Sequence, residues 1–353
     1  MIEVIKKYLN MFGLPRLIIT ALFIGICITA IVIGLPVSLL ASDVIRRFGM
    51  FGILALAMVP SIQSGTGPNF ALPIGIICGL LGSLLTIEFG LTSPALGYGF
   101  ISAVLISLPF AILSGWVYGI LLNKIKGSEM LVATYTGFSI VSFMQIGWVT
   151  LPFTHPEMRW PIGQGLRVTV SLDSSFGEVL NRVWGFSISG VYIPTGLLLF
   201  FFGCCGLVWL FSRSKSGIEM NIAGANPKFA VASGINVDKN RVVGTILSTI
   251  IGAVGIIVYS LSFGYLQLYL APLYMAFPAV AAVLIGGAST SKVKISHVLI
   301  GTFLFQGLLT VALPVANQMF PEGNLSEVLR MIVQNGIILY ALTKMGGEYN
   351  GWS

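Results

Sequence analysis

Charge is what this sequence has least of. Only 9% of its 353 residues are Asp, Glu, Lys or Arg, against 56% that are hydrophobic. A soluble domain carries about 25% charged residues, so this chain lacks the polar atoms to cover a water-facing surface. A soluble enzyme, a nucleic-acid-binding module and a disordered chain are all excluded. The net charge of +7 does not reopen the nucleic-acid reading, because the 19 Lys and Arg are scattered singly or in pairs between apolar runs. Histidine is scarce too, with only His155 and His297, far apart in sequence. The four cysteines (Cys27, Cys78, Cys204, Cys205) all lie in apolar stretches, without a CxxC spacing or a nearby His. That pattern gives neither a metal site nor a disulfide framework. No HExxH, GxSxG or P-loop pattern occurs, so no catalytic residue, metal or cofactor is expected.

What the sequence has instead is a series of apolar runs. A membrane-spanning helix needs about 20 such residues, and candidates lie at 17–40, 49–64, 70–90, 96–122, 129–151, 191–211, 241–263, 273–288, 295–315 and 327–344. The first is too long for a signal-peptide core and reads as an uncleaved span. The expected fold is all-α: one polytopic domain over 1–353 with about ten membrane helices, seated in a lipid bilayer. An even count puts both termini on one side. Cytoplasmic loops collect cations, and the orientation with both termini inside gathers Lys6, Lys7, Arg16, Lys124, Lys126, Arg213, Lys215, Lys228, Lys239, Arg241, Lys292, Lys294 and Lys344 there. Only Arg46, Arg47, Arg159, Arg167, Arg182 and Arg330 fall outside. Arg46 and Arg47 are the weak point, partly offset by Asp43.

Three stretches depart from plain spans. Residues 58–73 pack Pro60, Gly65, Gly67, Pro68 and Pro73 among Gln63, Ser64, Thr66 and Asn69, so a regular helix cannot continue through them. Irregular backbone at membrane depth is tolerated where protein or a water-filled cavity satisfies it, and broken helices in transporters mark substrate sites. The segment reads either as part of a solute pathway or as an interfacial loop. Residues 152–190 form the longest polar stretch, expected outside, with length for a small ordered cap. Its charges suit a soluble partner or simple solvation, and Trp160 and Trp184 suit a membrane interface. Residues 212–241 are expected in the cytoplasm. Within them Asn226 is a good N-cap, Pro227 favours the first helical position and Gly234 the C′ position. A helix of about two turns is marginal alone in water, so it docks on something or lies on the membrane.

Few ionisable groups reach membrane depth; Glu88 and Glu129 come near it, both at span ends. Ion-driven carriers keep such groups within the bundle, so energy for active transport is expected from another chain. A secondary, ion-coupled transporter of a small solute is the alternative.

The run at 222–237 (Gly224, Asn226, Ala230, Gly234, Ile235, Val237) resembles the inner-membrane permeases of ribose/galactose-type ABC importers, within the branched-chain amino acid, sugar and nucleoside permease superfamily. Ala281, Ala282, Val283, Gly286 and Gly287 fill that family's A-A-V-V-L-G-G run. The stretch at 65–75 departs from its G-G-x-D-L-S-V-G pattern, and 126–130 is similar to the nucleoside-type branch. The resemblance implies a non-enzymatic permease subunit moving a small polar solute, a monosaccharide or a nucleoside-like compound. Its implied partners are an ATP-binding cassette ATPase, a second permease chain, the same or related, and an extracytoplasmic substrate-binding protein. It implies ATPase coupling by Glu219, Gly224, Asn226, Pro227, Phe229, Ala230 and Gly234. The solute pathway is expected at Gln63, Ser64, Thr66 and Asn69, with Gln267 and Gln306.

Overall fold

The computed structural model describes residues 14–92, 97–161 and 165–319, with 328, 331–332, 334–336 and 338–339. Helix α1 (Leu14–Val32) leads through a turn at 33–36 into α2 (Val37–Leu56). After Ala57 the helix resumes as α3 (Met58–Gln63), so that Val37–Gln63 forms one apolar length of 27 residues. Beyond a break at 64–71 come α4 (Leu72–Glu88), α5 (Tyr98–Lys124) and α6 (Glu129–Thr150). The polar segment that follows holds β1 (Thr169–Ser171), α7 (Val179–Arg182), β2 (Phe186–Ile188) and β3 (Val191–Ile193). Then come α8 (Thr195–Arg213), α9 (Lys215–Ala225), α10 (Pro227–Ala232) and α11 (Val237–Phe263). Strand β4 (Tyr265–Gln267), α12 (Leu270–Tyr274), α13 (Ala276–Ile285) and α14 (Ile295–Met319) complete the described elements.

Six of these helices are long and apolar enough to cross a membrane, and three shorter apolar ones accompany them. The expected span at 327–344 lies largely outside the described residues. One expectation needs correction. The run at 17–40 is not one helix: Gly34 turns the chain at φ +73° and Pro36, which has no N–H to donate, precedes α2. The supposed outer loop with Asp43, Arg46 and Arg47 is therefore inside α2, where Arg46 pairs with Asp43 at 2.8 Å and Arg47 lies over the Phe263 ring at 5.9 Å. The chain is mostly helical, as the all-α reading expects. Two small antiparallel sheets are present, β2 against β3 and β1 against β4 with Thr169 opposite Gln267.

Helix α11 is the centre of the bundle, packed between α4 and α5. Glycines make that possible. A Cβ on Gly115 would lie 2.9 Å from Cα of Ile246, and one on Gly119 would lie 3.0 Å from Cα of Val242. Gly75 and Gly79 bring α4 equally close to the α11 backbone at Thr249 and Ala253. The outer helices carry the opposite signature. On α6 only Ala133, Gly137, Val141 and Trp148 are buried, a single stripe. Leu131, Tyr135, Phe143 and Ile146 face outward on the same helix. An exposed face this apolar needs hydrocarbon around it.

The helix ends gather on two faces. On one, Ser212 reaches Gln63, Lys126 reaches Asp238 and Arg16 reaches the Gly286 carbonyl. On the other, Glu88 accepts from the Thr154 amide at 3.0 Å, and the Tyr192 amide donates to Ser42 at 2.8 Å.

Candidate functional site: the helix break and the capped short helix

The break at 64–71 closes on itself through hydroxyls. Ser64 Oγ donates to the Ser61 carbonyl at 2.8 Å, and Thr66 Oγ1 donates to the same carbonyl at 2.9 Å. Ser61 Oγ donates to the Gly67 carbonyl at 2.6 Å. These bonds replace the helical ladder that Pro68 and two left-handed glycines, Gly65 and Gly67, interrupt. Asn69 points across to α11, where its Nδ2 donates to Ser248 Oγ at 2.8 Å. Its Oδ1 is buried with no protein partner. A buried acceptor left this way costs about 1–3 kcal/mol. Ser64, Thr66 and Asn69 are buried and Gln63 is half-buried, its Oε1 accepting from Ser212 at 3.1 Å.

The structure therefore groups Gln63, Ser64, Thr66 and Asn69 around the first half of α11. It does not bring Gln267 to them. Gln267 sits in β4, past the far end of α11, beside a polar depression of about 560 Å³ that Arg167, Asp173, Glu178 and Tyr265 also line. Gln306 is buried midway along α14, in a row with Thr302 and Thr310.

The short helix α10 forms as its sequence requires. Asn226 Oδ1 accepts the Phe229 amide at 3.0 Å, and Pro227 occupies the first turn. At its other end the Gly234 amide donates to the Val231 carbonyl at 3.0 Å, and the Ile235 amide to the Ala230 carbonyl at 2.9 Å. With Gly234 at φ +75°, this is a Schellman cap. Ala230 is buried and anchors the helix, while Phe229 and Val231 are 57% and 66% exposed. Glu219 is half-buried on α9.

Helix α9 joins the two features. A Cβ on Gly65 would stand 2.8 Å from Cα of Gly224, so the break and α9 touch backbone to backbone. Gly224 in turn faces the Gln63 carbonyl. Only glycine on both sides permits this approach.

The residue patterns gave no sign of one further element. Arg241 Nη2 donates to Glu129 Oε1 at 2.7 Å, with side-chain exposures of 9% and 11%. The pair locks the α5–α6 turn to the start of α11. Lys126 and Asp238 add an exposed bridge at 2.6 Å, and Asn123 donates to the Asp238 carbonyl at 2.8 Å. Among the described residues no three His, Cys, Asp or Glu are grouped to hold a metal ion.

Comparison with known proteins places this architecture. The nucleoside ABC transporter permease protein NupB of Lactococcus lactis subsp. cremoris (strain MG1363) is 21% identical over 237 residues, covering 65% of this chain. The chain spans 63% of that relative's length. A solved ABC transporter of the metal-chelate type, in an inward-facing conformation, aligns at 15% identity and a TM-score of 0.45, covering 93% of this chain and 99% of that one. Residues 40–342 match the family described as branched-chain amino acid transport system / permease component. The chain belongs to that family, as a multi-pass membrane permease subunit of the ABC-transporter type that is not itself an enzyme.

Proposed function

We propose that this chain is the permease of an ATP-driven importer, forming the membrane pathway for a small polar solute. An ATP-binding cassette subunit seats on α9–α10, a second permease chain completes the pathway, and an extracytoplasmic binding protein delivers the solute at the face of β1–β4. The observation that carries the reading is α10. A two-turn helix capped at both ends, anchored by Ala230 and presenting Phe229 and Val231 outward, has its apolar side prepared for another protein. Its connection through Gly224 to the break at Gly65 supplies a route from that docking site to the pathway.

Charge distribution supports placing α9–α10 in the cytoplasm. Among the described residues, every cation expected inside lies on that face, with Glu129, Glu219 and Asp238 to offset them. The opposite face balances Arg46, Arg47, Arg159, Arg167 and Arg182 against Asp43, Glu88, Glu157, Asp173 and Glu178. Ten spans, with 327–344 as the last and both termini inside, fit this arrangement.

A nucleoside or a monosaccharide fits the break. Ser61, Ser64, Thr66 and Asn69 offer hydroxyls and an amide but no full charge, which suits a neutral polyhydroxyl solute. The nucleoside permease relative points the same way. The test is reconstitution. The chain should co-purify with an ATPase subunit, and vesicles carrying both should take up labelled nucleoside or monosaccharide only with ATP and binding protein. Uptake by this chain alone, driven by an ion gradient, would establish the secondary-transporter reading instead.

A further inference from the structure

Away from the pathway, α1, α2 and α14 enclose a groove of about 690 Å³ on the outer surface of the bundle. Leu17, Phe48, Ile300 and Phe303 make it apolar, and Phe303 is braced edge-on by Phe23 and Phe48, each at 6.0 Å. Among the described residues Arg16 is its one charged lining residue, at the end belonging to the α9–α10 face. Thr20, the other polar member, is already satisfied, its hydroxyl donating to the Arg16 carbonyl at 2.7 Å.

We propose that this groove is a binding site for an anionic phospholipid, with an acyl chain along Phe48, Ile300 and Phe303 and the phosphate at Arg16. The hydrocarbon part follows from position, since an apolar groove on the outside of a membrane bundle meets lipid tails. The headgroup part follows from charge. Arg16 donates to the Gly286 carbonyl, while its Nε is buried with no protein partner. Gly286 packs against the carbonyl of His297, and the Lys294 amide donates to Nδ1 of that same His297, which draws Lys294 to the same corner. Lys292 lies in the same turn. Neither α1, nor residues 286–294, nor α14 contains an Asp or Glu. The corner is thus cationic with no carboxylate of its own elements to neutralise it. Basic pockets between membrane helices at the cytoplasmic side suit phosphate headgroups.

The same charge pattern disfavours a second copy of this chain as the occupant. A two-fold contact pairs a patch with itself, and among the described residues the charged groups at that end are all cations. The proposal needs only that the chain is a membrane permease, and it stands apart from the identity of the solute.

The test uses the purified full-length permease, delipidated in detergent, with native mass spectrometry after titration of phosphatidylglycerol or phosphatidylcholine. Phosphatidylglycerol should be retained selectively. Each near-surface cation contributes about a fivefold change in affinity. Arg16→Gln and Lys294→Gln should therefore each weaken retention by about that factor, and Arg16→Lys should restore most of it. Ile300→Trp, which fills the groove and leaves the cations in place, should also lower phosphatidylglycerol binding. Elution as a single species by gel filtration checks that each variant is folded. Equal retention of both lipids by the unaltered chain would overturn the proposal, as would unchanged retention by Arg16→Gln. Ile300→Trp dispersing a permease dimer without affecting lipid retention would assign the groove to a second chain.

Discussion

Glu129 and Arg241 form a buried ion pair, and its removal has a calculable effect. Both side chains are about nine-tenths buried, and the Nη2–Oε1 distance is 2.7 Å. Replacing Arg241 with Ala would leave the Glu129 carboxylate buried with one remaining donor, the Gly127 amide at 2.9 Å. Leaving one charge of a buried pair uncompensated costs about 3–5 kcal/mol. Replacing both residues together, Glu129→Leu with Arg241→Met, removes the desolvated charges as well as their attraction. Such exchanges of a buried pair are often neutral or stabilising by about 1–4 kcal/mol. A double-mutant cycle should therefore return a coupling energy of several kcal/mol. Reversible unfolding in mixed micelles, followed by helical circular dichroism, measures it. By contrast, the Lys126–Asp238 bridge is more than half exposed at both ends, and Lys126→Ala should cost about 0–1 kcal/mol. Additive single effects below about 1 kcal/mol at Glu129 and Arg241 would refute the reasoning, because they would mean that water reaches the pair.

Three further outcomes follow from the site. Asn226→Ala removes the bond to the Phe229 amide and should cost about 1 kcal/mol of local stability; Gly234→Val adds strain of about 1–2 kcal/mol at a positive φ. Both should weaken capture of the ATPase subunit in a pull-down while membrane insertion is unchanged. Gly65→Ala or Gly224→Ala forces the break away from α9 and should lower the unfolding temperature, overpacking of this kind costing about 1–3 kcal/mol. Asn69→Leu or Gln63→Leu should reduce solute uptake by reconstituted vesicles with ATPase binding intact; unchanged uptake after substitution of Gln63, Ser64, Thr66 and Asn69 in turn would move the pathway toward Gln267 or Gln306.

The features legible in the sequence are those specified by neighbouring residues. Asn226, Pro227 and Gly234 frame α10 because caps act within one turn of the helix end, so the pattern and the structure coincide there. The clustered prolines and glycines at 60–73 likewise announce a break locally. Hydropathy misplaced the first two helices for an equally physical reason. An apolar run does not reveal the turn at Gly34–Pro36, and a pair of arginines in α2 is tolerable when Arg46 has Asp43 one turn away and Arg47 lies over an aromatic ring. The strands carry too few residues for a period of two to register, and β1 finds β4 across more than ninety residues of chain. The Glu129–Arg241 pair is likewise invisible, since its partners are 112 residues apart.

The way these parts connect bears on how ATPase docking would reach the solute. Asn226 closes α9 at one end and caps α10 at the other, and Gly224 touches Gly65 through backbone alone. Packed backbones behave as rigid contacts, so in the proposed coupling a shift of α10 would be passed on to 64–66. There the hydroxyls of Ser64 and Thr66 share one carbonyl, that of Ser61, and Asn69 holds a single bond to Ser248 on α11. Helix α11 is also tied by Arg241 to Glu129 at its first turns. In the coupling proposed above, a push on α9 would shift the break against α11, and the Asn69–Ser248 bond would lie between the two. Opening that bond would free an amide and a hydroxyl together with the already unpartnered Asn69 Oδ1. The three polar atoms would then be available to a hydroxylated solute in the same displacement that separates the helices.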